Sequence, residues 1–196
     1  MVERAARRLI THDSTPSSLE HIMNTYRVAT MLYIMIKPPP ATLRRICGQR
    51  AWYGLDDSYP ADRLHCTMLR LGHEADWSAA RLDELKGLLG TVSAEPFPVR
   101  FDLIAGNLLR GAKGMPSAAA FHRALRQKAA MCGVPIPEYD FWLHLSLAYR
   151  GTAIAAARKI DPIGWTVEEF LLIRSDRGHD LLDRWPLRQR QFALAL

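Results

Sequence analysis

Apolar residues in this chain gather in short runs set between stretches of helical spacing, and the order of the runs repeats. The run "TYRVATMLYIMI" (25–36), rich in β-branched and aromatic residues and closed by "KPPP", predicts a strand. "ATLRRICGQRAW" (41–52) follows the prolines as a helix whose first turn they open, and "RLHCTMLRL" (63–71) is a second strand. "DWSAARLDELKGLLG" (76–90) places Leu82, Leu85, Leu88 and Leu89 on one helical face and stops at Gly90. "FPVRFDLIAG" (97–106) reads as a strand. The second half repeats the order: a helix with proline first and glycine last (116–133), a strand "YDFWLHLSLAYR" (139–150), and a closing strand pair from "GWTVEEFLLIRS" (164–175) and "LLDRWPLRQRQFAL" (181–194). Two similar lobes facing each other across a cleft follow from this repetition.

Within that pattern two strands carry a histidine two residues before a hydroxyl: His65 with Thr67, and His144 with Ser146. Side chains alternate along a strand, so His65 and Thr67 share a face with Leu69, and His144 shares one with Ser146, Ala148 and Arg150. Seven histidines in one chain also give such pairs by chance, and His12-Asp13-Ser14, in a polar, proline-containing stretch, is one. A buried histidine with a satisfied hydrogen bond is the ordinary explanation for either strand alone. Burying an unpartnered polar group costs on the order of 1–3 kcal/mol, so the same element in matching strands of matching halves points to use.

The use it suits is acid–base chemistry at phosphorus. One neutral imidazole accepts a proton while a second, charged one donates, and hydroxyls donate hydrogen bonds to the non-bridging oxygens where charge builds. The chain has no carboxylate-rich ligand cluster and no His-x-x-x-His helix, so no metal is expected.

At 196 residues, 48% of them hydrophobic, the chain can bury one large core. Cys47, Cys66 and Cys132 are odd in number and lack metal-ligand spacing, which favours a reducing compartment; a cytoplasmic location is expected. No run spans a bilayer and the first residues lack an apolar signal core, so neither secretion nor membrane insertion is expected. Residues 1–26 read as an N-terminal extension, with Met23 or Met31 as alternative starts, and residues 27–196 as a single bilobal domain. The net charge of +6 belongs to that domain, because Arg4, Arg7 and Arg8 are balanced by Glu3, Asp13 and Glu20. From 103 to 137 the charged residues are Arg110, Lys113, Arg123, Arg126 and Lys128, with no acid, a segment that attracts phosphates if its charges share a face and is otherwise a solvated helix surface.

With these residues in view the chain resembles the 2H phosphoesterases, named for two His-x-Thr/Ser motifs, and within them the bacterial 2′-5′ RNA ligase / RNA 2′,3′-cyclic phosphodiesterase branch. The resemblance covers roughly residues 28–187. It rests on "LYIMIKPPPATLRRI", on "ADRLHCTMLRLG" and "FWLHLSLAYR" as the two motifs in order, and on "VEEFLLIRSDRG" with "LLDRWPL" as a closing hairpin. It implies a bilobal α+β fold of two antiparallel-sheet lobes flanked by helices around a central groove. It also implies catalysis by His65 as proton donor to the leaving ribose oxygen and His144 as the base activating water, with Thr67 and Ser146 on the phosphate. The expected partner is RNA, or a nucleotide, bearing a cyclic phosphate, acted on by a monomer that needs neither cofactor nor metal. The product would be an opened 2′-phosphate, and sealing of a 2′-5′ bond the reverse reaction with a 5′-hydroxyl in place of water.

The chain departs from the family pattern in places. Ser146 stands where threonine is commoner, and Tyr149 occupies the place of a frequent arginine, with Arg150 one further on. If the strand stays regular, Arg150 lies on the His144 face and contacts the phosphate. "NLLRGAKG" is unusually polar for the strand between the motifs, so Arg110 or Lys113 meets substrate there or the segment is a plain loop. Trp142 and Tyr53 either stack on a base or belong to the core. The alternatives are a phosphoesterase of the same fold acting on another small cyclic nucleotide phosphate or a 2′-5′ oligonucleotide, an RNA-binding module without turnover, and a packing protein with two accidental motifs. For phosphate binding alone, arginine and lysine would serve better than paired histidines.

Overall fold

The computed structural model describes residues 30–188 except 134 and 137, so the N-terminal extension and the end of the strand expected over 181–194 lie outside the described residues. Among the described residues, eight strands form two four-stranded antiparallel sheets. The first has the order β2-β1-β7-β8, from Cys66–His73, Met31–Ile36, Glu169–Ser175 and His179–Pro186. The second has the order β5-β4-β3-β6, from His144–Ser146, Leu108–Arg110, Phe97–Gly106 and Ile154–Val167. Three helices, α1 (Pro40–Trp52), α2 (Ala79–Gly90) and α3 (Pro116–Met131), complete the α+β fold.

The repetition read from the sequence appears in the connections. β1 leads through α1 to its antiparallel neighbour β2, and β4 leads through α3 to its antiparallel neighbour β5. Proline at the first position opens both helices, where its missing N–H costs nothing, and Ser78 caps α2 by accepting from the Arg81 N–H. β2 and β5, the two motif strands, are each the edge strand of their sheet, and the two edges come together across the groove.

One continuous core joins the sheets and helices. Ile46 from α1, Leu85 and Leu89 from α2, and Phe121, Leu125 and Ala129 from α3 are buried against Leu32, Ile34 and Ile36 of β1 and Phe101 and Ile104 of β3. Each fully buried leucine, isoleucine or phenylalanine among them contributes roughly 1.5–3 kcal/mol. α1 lies along β6, tied by Arg45 donating to the Pro162 carbonyl at 2.9 Å, and α3 lies along β2 and β3. β6 and β3 approach so closely at Gly164 that a Cβ there would stand 2.5 Å from the Val99 carbonyl oxygen.

β2 is bulged twice, and the bulges decide which side chains face the groove. Its register against β1 slips between Thr67 and Leu69 and again between Arg70 and Gly72, leaving Met68 and Leu71 as the extra residues. Each extra residue's carbonyl is capped by a side chain: Met68 O accepts from His122 Nδ1 at 2.6 Å, and Leu71 O from Trp77 Nε1 at 3.1 Å. Thr67 consequently stands opposite Met35, on the face holding Tyr33, Leu171 and Ile173, while Leu69 stands opposite Ile34 in the main core. Simple alternation, which grouped Thr67 with Leu69, fails at the bulge.

Two other expectations are corrected. The strand expected over 139–150 is only His144–Ser146, because the chain enters a bend at Leu147. The run 164–175 is two strands: β6 ends at Val167 in the second sheet and β7 begins at Glu169 in the first. Among the described residues no helix is long and apolar enough to cross a membrane.

Candidate active site

His65 sits immediately ahead of β2, after a short 3₁₀ turn at Ala61–Arg63, and His144 is the first residue of β5. Each has its Nδ1 on the backbone carbonyl two residues earlier: His65 on Arg63 O at 2.7 Å, His144 on Trp142 O at 2.9 Å. A carbonyl only accepts, so Nδ1 carries the proton in both rings and Nε2 is left to accept a proton or, once charged, to give one. The two histidines are close enough that a charge on His144 disfavours one on His65. Burial first, then the positive charges of Lys37 and His144, hold the His65 pKa below its ordinary 6.5, against a raising contribution from the Arg63 carbonyl.

Thr67 lies beside His65 in a cleft of about 250 Å³, also lined by Tyr33, Met35, Tyr59, Tyr149, Ser175 and His179. On the other lobe Ser146 is half-buried opposite Leu108, and His144 is directly opposite Arg110. Opposed residues of an antiparallel pair share a face, so Arg110 and His144 stand side by side, with Leu103 next in the row. The Arg110 Nε is buried and lacks a hydrogen-bond partner, which leaves a cation beside His144 with unspent donor capacity.

The structure thus brings His65 and Thr67 together in one lobe and His144 and Ser146 in the other, with the two histidines within electrostatic reach. Arg150 is reached differently. β5 ends at Ser146, so alternation no longer places Arg150; it is exposed after the bend, where its charge helps lower the pKa of Asp56 after the larger effect of two hydrogen bonds from Ser58. Tyr149, one residue before it, turns its ring onto Tyr59 at 4.6 Å between centroids and lines the cleft. Within the basic run from Arg110 to Lys128, Arg123 is exposed on α3, while Arg126 donates to Ile136 O and Glu138. Tyr53 packs against the core, whereas Trp142 is half exposed and lends its carbonyl to His144.

Sequence reading missed two neighbours of His65. Lys37, half-buried after β1, donates to Asp62 O at 2.9 Å, and burial lowers its pKa. His179, at the start of β8, stands edge-on to His65 with ring centroids 5.0 Å apart. Neither sits in a His-x-hydroxyl element; the available signal was one more histidine in a hairpin turn, "RGHD". Among the described residues no group of three or more His, Cys, Asp or Glu side chains is arranged to hold a metal.

The family model described as the 2′-5′ RNA ligase superfamily matches residues 38–179, which include both motifs. Among solved structures, apo E. coli LigT superposes with a TM-score of 0.67 at 24% identity, covering 82% of this chain and 99% of LigT. LigT complexed with 3′-AMP gives 0.65 at 25% identity over the same shares. TT0787 of Thermus thermophilus gives 0.64 at 18% identity, covering 81% of this chain and 98% of its own. No match was found among curated proteins. Two antiparallel sheets meeting at their motif strands, and a family match across both, lead to one conclusion: the chain belongs to the 2′-5′ RNA ligase superfamily.

Proposed function

We propose that this protein hydrolyses RNA 2′,3′-cyclic phosphate ends to 2′-phosphates without a metal, using His65 as acid and His144 as base. The observation that carries the reading is the matched pair of Nδ1–carbonyl bonds, which leaves two imidazole Nε2 atoms free, one on each side of the groove, each with a hydroxyl two residues on. His144 takes a proton from water as its oxygen bonds to phosphorus, the P–O3′ bond breaks, and His65 protonates the leaving 3′ oxygen. Thr67, Ser146 and Arg110 donate to the non-bridging oxygens, where charge grows most in the transition state, and Arg150 reaches the phosphate from the rim. The phosphodiester's own negative charge raises the proton affinity of His65 on binding, which offsets the effect of burial in the free protein.

E. coli LigT, which shares the fold, has been crystallised with 3′-AMP and with phosphate, which supports a nucleotide phosphate as ligand class. Reversal with a 5′-hydroxyl in place of water gives a 2′-5′ linkage. The test is product analysis of a short RNA ending in a 2′,3′-cyclic phosphate, incubated in EDTA. Conversion to a 2′-phosphate is the expected result; a 3′-phosphate product, or a rate that returns only with added divalent metal, would overturn the reading.

A further inference from the structure

His179 is polar, sits in the same cleft as His65 and Thr67, and has no part in the two-histidine chemistry. Its Nε2 is 3.3 Å from the Tyr59 hydroxyl, while its Nδ1 is buried without a partner. An orphaned N–H is rarer in a protein interior than an orphaned acceptor, so the proton belongs on Nε2, donated to Tyr59 Oη. The Tyr59 hydroxyl then gives its own proton to Arg63 O at 3.4 Å, the carbonyl that also accepts the His65 Nδ1–H at 2.7 Å. The Tyr59 O–H and the His65 Nδ1–H thus meet on one backbone oxygen, with His179 Nε2–H behind Tyr59, while the His179 ring closes edge-on against the His65 ring at 71°.

We propose that Tyr59 and His179 are positioning residues for His65, a hydrogen-bonded bracket that fixes both the carbonyl on which its Nδ1 is anchored and the plane of its ring. The tautomer is the reverse of that in His65 and His144, so His179 offers no Nε2 lone pair to substrate and is not a third acid or base. The groups facing it are consistent with a neutral ring: Tyr59, Tyr33 from β1, Ser175 from β7, and the charged Lys37, Arg63 and Asp62 around His65. Burial, then the charges of His65, Lys37 and Arg63, push its pKa down to about 4, with Asp62 acting the other way. The Tyr59 hydroxyl, driven upward chiefly by burial, keeps its proton at any working pH.

This assignment rests on the catalytic reading of His65, so its test has one arm that does not depend on turnover. Long-range ¹H–¹⁵N spectra of the free full-length protein read the His65 tautomer in wild type, Tyr59→Phe, His179→Phe and His179→Gln. Wild type is expected to show a single Nδ1–H form, and the two Phe variants a mixture. On cyclic-phosphate RNA the Phe variants should lose roughly 5- to 50-fold in kcat with KM within about twofold, as expected for a misaligned catalytic group. His179→Gln, whose amide can still donate to Tyr59, should recover part of the loss. A changed tautomer in a protein that turns over no such RNA would sustain the bracket and sink the proposed reaction. Wild-type tautomer and wild-type kcat in Tyr59→Phe, which removes one oxygen and keeps the ring, would overturn the bracket.

Discussion

The Met68 carbonyl accepts the His122 Nδ1–H at 2.6 Å, and Met68 is the extra residue of the bulge that turns Thr67 toward the groove. A bulge leaves a peptide outside the ladder, and a buried peptide oxygen needs a partner. α3 supplies it, and the same imidazole stacks on Phe141 at 4.2 Å, three residues before His144. One side chain therefore ties the first motif strand to the segment leading into the second.

His122→Phe keeps the ring and removes the hydrogen bond. It should lower unfolding free energy by about 1–3 kcal/mol, the cost of an abandoned buried acceptor. Urea unfolding of the variant beside wild type measures this, with an unchanged slope showing that only stability moved.

Arg110 and Arg150 separate two accounts of phosphate binding. Arg110 shares a face with His144 and has buried, unused donor capacity, whereas Arg150 is exposed beyond the end of β5. Arg110→Ala should cost about 2–4 kcal/mol in kcat/KM, the scale of one lost transition-state donor. Arg150→Ala should cost less than about 1 kcal/mol, because exposed charges are screened. Steady-state kinetics on the cyclic-phosphate RNA would reverse this ordering if the family position near Tyr149 governs instead.

The pH profile of kcat/KM should be bell-shaped, with one limb below pH 6.5 because burial, Lys37 and His144 all disfavour charge on His65. Lys37→Met removes a positive neighbour, so that limb should move to higher pH by a fraction of a unit. A limb that stays in place would show that Lys37 does not face His65 in solution.

Stability should fall on acidification for a related reason. His65, His122 and His179 have pKa values lowered from 6.5 in the folded protein, mainly by burial. Below pH 6.5 the unfolded chain binds protons that the folded one refuses, so these groups contribute fully above 6.5 and lose their contribution as the pH falls. For His179 the loss runs to about pH 4, where the folded ring takes up its proton. Unfolding free energies measured from pH 8 to pH 4.5 should drop across that window, less steeply in His179→Phe.

The parts of the fold written in local chemistry were legible in the sequence. Pro40 and Pro116 mark helix starts, and Gly133, at φ 69°, the place where only a residue without a Cβ passes easily beyond α3. His65, Thr67, His144 and Ser146 were legible because a polar pair in an apolar run needs a reason. Long-range geometry was not. Nothing local announces that Met68 is bulged, since its partner His122 lies on another element, and the glutamates between Val167 and Phe170 do not by themselves show that the run divides between two sheets. Arg150 was misplaced because alternation was carried past the bend at Leu147, and His179 reaches His65 only through the β7–β8 hairpin.

The central claim is that His65 and His144 act as one acid–base unit, and kcat/KM for wild type, His65→Ala, His144→Ala and the double variant on cyclic-phosphate RNA tests it. Each single change should cost about 10³-fold or more, and the double little beyond that, because members of one catalytic unit are far from additive. A single variant within about tenfold of wild type, or losses that multiply in the double, would contradict it.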